Sequence, residues 1–273
     1  MTDSNLYPIT RLTVHLQEKT GWKGALILSI CYAPEKPAPG LPGKEAGDIT
    51  LTGETTGLVS LGTEDKISAE VLRRVGGAIA RWAAKNELTS LALDLSDFSS
   101  SKVNKPCVAL TEGLALGSYR FDHYKSERQD VPVTDVALLL DKVTPAETSA
   151  VEQTQTICAA VNMSREWAHE PANVINPITL AERAKQVSKK YGLKCTVLDD
   201  KDLTRMGAGG IINVGMGSKT PARMIILEYA GNGDSDAKPV VLVGKALTFD
   251  SGGYSLKDRN NIVSMKYDKC GGV

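Results

Sequence analysis

Histidine is scarce in this sequence. The three present, His15, His123 and His169, stand in no HExxH or HxH spacing. Imidazole-based zinc sites need such spacing, so any metal held here must lean on carboxylates. Cysteine is equally sparse: Cys31, Cys107, Cys158, Cys195 and Cys270 are scattered, with no CxxC pair. That excludes a zinc cluster or a disulfide framework and fits the reduced thiols of a cytoplasmic protein. Net charge is absent too, since 32 Lys and Arg balance 32 Asp and Glu. Bulk charge therefore offers nothing to nucleic acid or to a membrane surface. No apolar run approaches the roughly 20 residues of a membrane span. Met1 to Pro8 is polar and lacks the apolar core of a secretion signal.

What is present alternates between strand and helix patterns. Leu12 to Leu16, Gly24 to Tyr32, Leu88 to Leu95 and Val136 to Leu140 read as strands, rich in aliphatic and β-branched residues. Ser68 to Asn86 reads as a helix, with Val71, Leu72, Val75, Ile79 and Trp82 at helical spacing. Cys107 to Tyr124 also looks helical, and Ala33 to Gly47 reads as a Pro- and Gly-rich loop. A long helix is expected from Pro145 to Ala168, broken by Glu170-Pro-Ala-Asn-Val-Ile-Asn-Pro177. Another follows to Tyr191, with Thr179 as its cap and Gly192 at the left-handed end position. Strands are expected at Cys195 to Leu198, Arg223 to Tyr229 and Pro239 to Val243, in βαβ order. The fold class is thus α/β, with an amino-terminal α/β domain over 1–144. A linker helix and the first part of a second α/β domain fill 145–273.

The chemistry concentrates after Val240. The apolar stretch Val240 to Val243, expected as a buried strand, delivers Gly244 and Lys245 at its carboxyl end. Ligands gather outside such strand ends in open α/β sheets. Asp250 precedes Ser251-Gly252-Gly253, a turn that lets backbone approach a ligand closely. Lys257 and Asp268 follow. Carboxylates bind divalent cations. A desolvated lysine can become a neutral ligand, and a charged one can stabilise a developing oxyanion. Paired surface charges account for the same residues equally well. A phosphate loop does not: Gly207 to Gly217 lacks the GxxxxGK[ST] order and reads as structural glycines in turns.

The segments Val243-Gly-Lys-Ala-Leu-Thr-Phe-Asp-Ser-Gly-Gly253, Ser255-Leu-Lys257 and Met265-Lys-Tyr-Asp268 resemble the metal-site motifs of the leucyl aminopeptidase (cytosol aminopeptidase) family. Glu112 to Asp122 and Asn162 to Pro177 resemble further segments of that family. The resemblance implies a catalytic α/β aminopeptidase domain after the linker helix. Lys245, Asp250 and Asp268 would be metal ligands, with Asp250 bridging two ions. Lys257 would be the catalytic lysine that meets the substrate carbonyl. It also implies two divalent ions (zinc, manganese or magnesium), an arginine-held bicarbonate, peptide substrates and a cytoplasmic hexamer.

Three departures stand out. Ala246 replaces the glycine that usually follows the ligand lysine. Lys269 puts a charge where the family has methionine. Gly272 and Val273 stand where alanines usually start a helix. The family's later Asn-Thr-Asp-Ala-Glu-Gly-Arg motif, which supplies further carboxylates and the bicarbonate-binding arginine, belongs after Asp268, and the sequence ends before it. The expectation is an inactive fragment of an aminopeptidase. The alternative is a non-catalytic interaction or assembly module derived from the same family.

Overall fold

The structure, a computed structural model, describes residues 12–127, 134–231 and 238–273, apart from positions 25, 35 and 37. The polar segment Met1–Pro8 lies outside them. The chain divides into two compact units, 8–163 and 164–273.

Unit 8–163 is built on a six-stranded sheet. Its strands are β1 (Thr13–Glu18), β2 (Ile27–Cys31), β3 (Ile49–Leu51), β4 (Thr56–Ser60), β5 (Ser90–Asp94) and β6 (Asp135–Leu140). Their spatial order is β1-β6-β5-β2-β4-β3. All pairs are parallel except β3 with β4. The apolar runs of β5 and β6 are buried along nearly their whole length, as covered parallel strands should be. Leu91, Leu93, Val136 and Leu138 enter the main core, while Ala92, Ala137 and Leu139 pack on the opposite face near Trp22.

Helix α1 (Ala69–Lys85) begins at Ser68, whose Oγ accepts from Val71 N at 3.3 Å. It packs on α2 (Pro106–Gly117) so closely that a Cβ on Gly113 would stand 2.1 Å from Arg73 O. Glycine is what permits that approach. The helix expected to reach Tyr124 thus ends at Gly117. The short hairpin β3–β4 has no counterpart in the sequence reading. Helix α3 (Pro145–His169) runs through the border between the units.

In unit 164–273, α4 (Pro177–Tyr191) opens on a reciprocal cap. Asn176 Oδ1 accepts from Ile178 N and Thr179 N, and Thr179 Oγ1 accepts from Asn176 N at 2.9 Å. The cap is therefore Asn176, and Thr179 is its partner three residues on. Gly192 closes the helix at φ 69°. Strand β7 (Lys194–Leu198) leads through α5 (Asp200–Arg205) and α6 (Gly209–Gly215) to β8 (Met224–Glu228). Part of the glycine-rich stretch expected as turns is thus helical. The pair β7–β8 is antiparallel, not the parallel βαβ expected, because two short helices return the chain beside β7 in the opposite sense. The strand expected at Pro239 to Val243 does not form either. Among the described residues it has no strand to pair with, and Val240 and Leu242 are 91% and 93% exposed. Apolar character without a partner strand or a covered face does not make a strand.

Candidate metal centre

Lys245 and Asp250 therefore lie on an extended loop rather than at the end of a buried strand. The loop turns sharply after Asp250, whose Oδ1 accepts from Gly252 N at 3.0 Å. Gly252 sits at φ 89°, and a Cβ there would stand 2.7 Å from Ser255 O. Ser251 O then accepts from Lys257 N at 3.0 Å. The glycine turn thus folds Lys257 back, and its ammonium pairs with the Asp250 carboxylate and donates to Asp250 O at 3.3 Å.

Helix α7 (Arg259–Ile262) leads into a 3-10 turn over Met265–Gly272. This turn brings Asp268 Oδ2 to 2.6 Å from Lys245 Nζ. The contact is an ion pair of hydrogen-bond length to an otherwise buried carboxylate oxygen. The Asp268 carboxylate, with help from Asp250, holds the Lys245 ammonium above its usual value. The Lys257 hydrogen bond holds Asp250 below the usual carboxylate range.

All four residues named from the sequence thus meet in two ion pairs, Lys245–Asp268 and Lys257–Asp250. A set of two carboxylates and an amine suits a divalent cation. An ammonium has no lone pair, so Lys245 can be a ligand only after losing its proton. The set is partial: among the described residues no three His, Cys, Asp or Glu side chains gather as a metal group.

Two further lysines were not singled out for a role at the site. Lys266 Nζ donates to His169 O at 3.1 Å. Lys269 is fully buried, and its Nζ donates to Glu170 O at 2.9 Å and to Lys266 O at 2.5 Å. Burial pushes its pKa down. The charge expected to disturb apolar packing is thus satisfied by backbone carbonyls. The signal available in sequence was only the i, i+3 spacing of two lysines around Asp268. His169 is the last residue of α3, with its Nδ1 2.6 Å from Arg165 O.

The model of the "Cytosol aminopeptidase family, catalytic domain" matches residues 162–273, and that of the family's N-terminal domain matches 54–128. A probable cytosol aminopeptidase of Geobacter sulfurreducens is 38% identical over 226 residues, 81% of this chain and 45% of the relative. One of Nitrosococcus oceani is 32% identical over 261 residues, 93% of this chain and 49% of the relative. The chain thus spans less than half the length of these curated relatives. The solved structure of the bottromycin maturation enzyme BotP in complex with Mn superposes with a TM-score of 0.74 at 28% identity, covering 90% of this chain and 53% of that one. Among the described residues no helix is long and apolar enough to cross a membrane.

Proposed function

Because the chain belongs to the cytosol aminopeptidase family, we propose that Lys245, Asp250, Lys257 and Asp268 form part of the metal centre of an aminopeptidase. The observation that carries this reading is the gathering of both carboxylates with the two lysines, in the ion pairs Lys245–Asp268 and Lys257–Asp250. Asp250 and Asp268 supply carboxylate oxygens to divalent cations, and Lys245 supplies its amine once deprotonated. When bound, the cations polarise the scissile carbonyl and favour attack by water. Lys257 donates to the carbonyl oxygen as negative charge develops there. Its tether to the Asp250 turn aims that ammonium across the carboxylate.

The manganese bound to the similar BotP structure makes Mn the first cation to test. Zinc and magnesium are the others, with a bicarbonate held by an arginine elsewhere in the polypeptide. Peptide substrates with leucine-like first residues, a hexameric assembly and a cytoplasmic location complete the proposal. With two carboxylates in the described cluster, this chain alone should hold metal weakly and turn over little substrate.

The test is metal content together with leucyl-amide hydrolysis on the purified chain with added Mn or Zn. Bound metal that Asp268→Asn and Asp250→Asn remove supports the site. Turnover lost in Lys257→Met would add the catalytic role. A chain that takes up no metal would overturn the reading and favour a non-catalytic interaction module.

A further inference from the structure

The 3-10 turn that carries Asp268 has two working faces. Such a turn has about three residues per turn, so side chains three apart stack on one side. Met265 and Asp268 form one such pair. Met265 Sδ lies 3.1 Å from Lys257 Nζ, and Asp268 meets Lys245. Lys266 and Lys269 form the next pair, and both reach the carboxyl end of α3. Lys266 donates to His169 O and Lys269 to Glu170 O. Between them Tyr267 meets the His169 ring edge-on at 5.5 Å.

That end of α3 needs donors. The last carbonyls of a helix have no partner within it, and Pro171 stops the chain from continuing the ladder. Cations are also favoured there by the helix dipole. Lys269 answers this need from full burial, and a buried ammonium is kept only where its donors are used. Its second contact, Lys266 O, lies within the turn itself. One side chain thus ties the turn to the helix and fixes the turn's own shape.

We propose that Lys269 is a positioning residue for Asp268. By anchoring one face of the turn on Glu170 O, it sets the rotation that points the other face at Lys245 and Lys257. Lys266 reinforces the anchor from a more accessible position. The proposal rests on the reading of Asp268 as a metal ligand, and it extends the metal centre to a residue that touches neither metal nor substrate.

The experiment compares the unmodified chain with Lys269→Ala, Asp268→Asn and the double variant. Each is titrated with Mn(II) and followed by its electron paramagnetic resonance, and amide exchange is recorded on the same samples. Lys269→Ala should weaken Mn binding roughly tenfold or more, as loss of a supporting hydrogen bond does. It should cause no further loss in the Asp268→Asn background. Amides of 265–270 should exchange faster while those of β5 stay protected. Unchanged affinity in Lys269→Ala, or an equal loss in both backgrounds, would overturn the positioning role and leave the metal site standing. An unmodified chain that binds no Mn would overturn both. Should Lys269→Ala fail to fold, Lys266→Met carries the test: a smaller loss in the same direction supports the proposal, and unchanged affinity overturns it.

Discussion

Ala246 and Gly272 occupy each other's missing space. A Cβ placed on Gly272 would stand 2.7 Å from the Ala246 methyl, well inside any tolerated approach. Two of the departures from the family pattern, alanine after Lys245 and glycine in place of an alanine near the end of the 3-10 turn, therefore belong together. The Ala246 methyl fills, beside Lys245, the space that a side chain on Gly272 would need.

This pairing predicts a coupled pair of substitutions. Gly272→Ala should destabilise unit 164–273 by about 1 kcal/mol or more through overpacking. Ala246→Gly alone should have a small effect. The double variant should recover most of the loss, a coupling expected of residues in contact. Urea unfolding of the four chains measures it, and simple additivity would mean that the loop moves aside.

Gln155 predicts a stability effect in the other unit. Its side-chain amide accepts from Val14 N and donates to Val14 O, both at 2.8 Å, and so covers the backbone of the edge strand β1. Gln155→Leu removes both bonds and should cost about 1–3 kcal/mol. It also bares part of a strand edge, a template for pairing with other chains. Denaturant midpoints and concentration-dependent light scattering check the two consequences.

The pair Lys19–Asp94 predicts an acid limit. Burial pushes the Asp94 carboxyl up, but hydrogen bonds from Lys19 and Ser96 outweigh it and hold the group below the usual carboxylate range. A carboxyl lowered in the folded state contributes stability above its unfolded pKa, about 3.9. That contribution is lost as pH falls through the lower folded value. Lys19→Met removes the principal support, so the variant should melt lower than the unmodified chain near neutrality and lose less on acidification, the two curves converging at low pH. Thermal melts between about pH 3 and 7 read this directly.

The thiols predict an order of reactivity. Burial pushes Cys107 and Cys158 up to about 11, so neither offers thiolate near neutrality. Cys270 is exposed. A chromogenic disulfide reagent at pH 7 should therefore titrate Cys270 first, leaving Cys107 and Cys158 until denaturant is added. Early labelling of Cys107 or Cys158, located by mass spectrometry, would show that their surroundings open.

Much of this protein was legible because the relevant signals are local. Helix α1 was visible in the spacing of Leu72, Val75 and Ile79, and its start in Ser68, because one turn of chain decides both. Gly192 announced the end of α4 because few other residues accept its backbone angles at no cost. The buried strands β5 and β6 were visible as unbroken apolar runs. The glycine turn after Asp250 was legible for the same reason, whereas the return of Lys257 onto Asp250 was not.

Where the reading failed, the missing information lay far away in sequence. Val240 to Val243 has the composition of a strand, yet a strand exists only as a pair, and no composition names its partner. Likewise β7 and β8 were both foreseen, but their antiparallel sense depends on the path of α5 and α6 between them. Thr179 and Asn176 are both capping residues, and only the start of the helix decides which one caps.

The sequence by itself determined the α/β class, most of the helices and the four residues that meet at the candidate metal centre, because turn chemistry and apolar spacing act over a few residues. Only the tertiary structure decided that Asp268 faces Lys245, that Lys269 is buried as an anchor on Glu170 O, and that Ala246 fits against Gly272. Those facts depend on what stands opposite each group in space. Burial, pairing and close approach are set by that neighbour, and a neighbour beyond the next few turns of chain leaves no local trace.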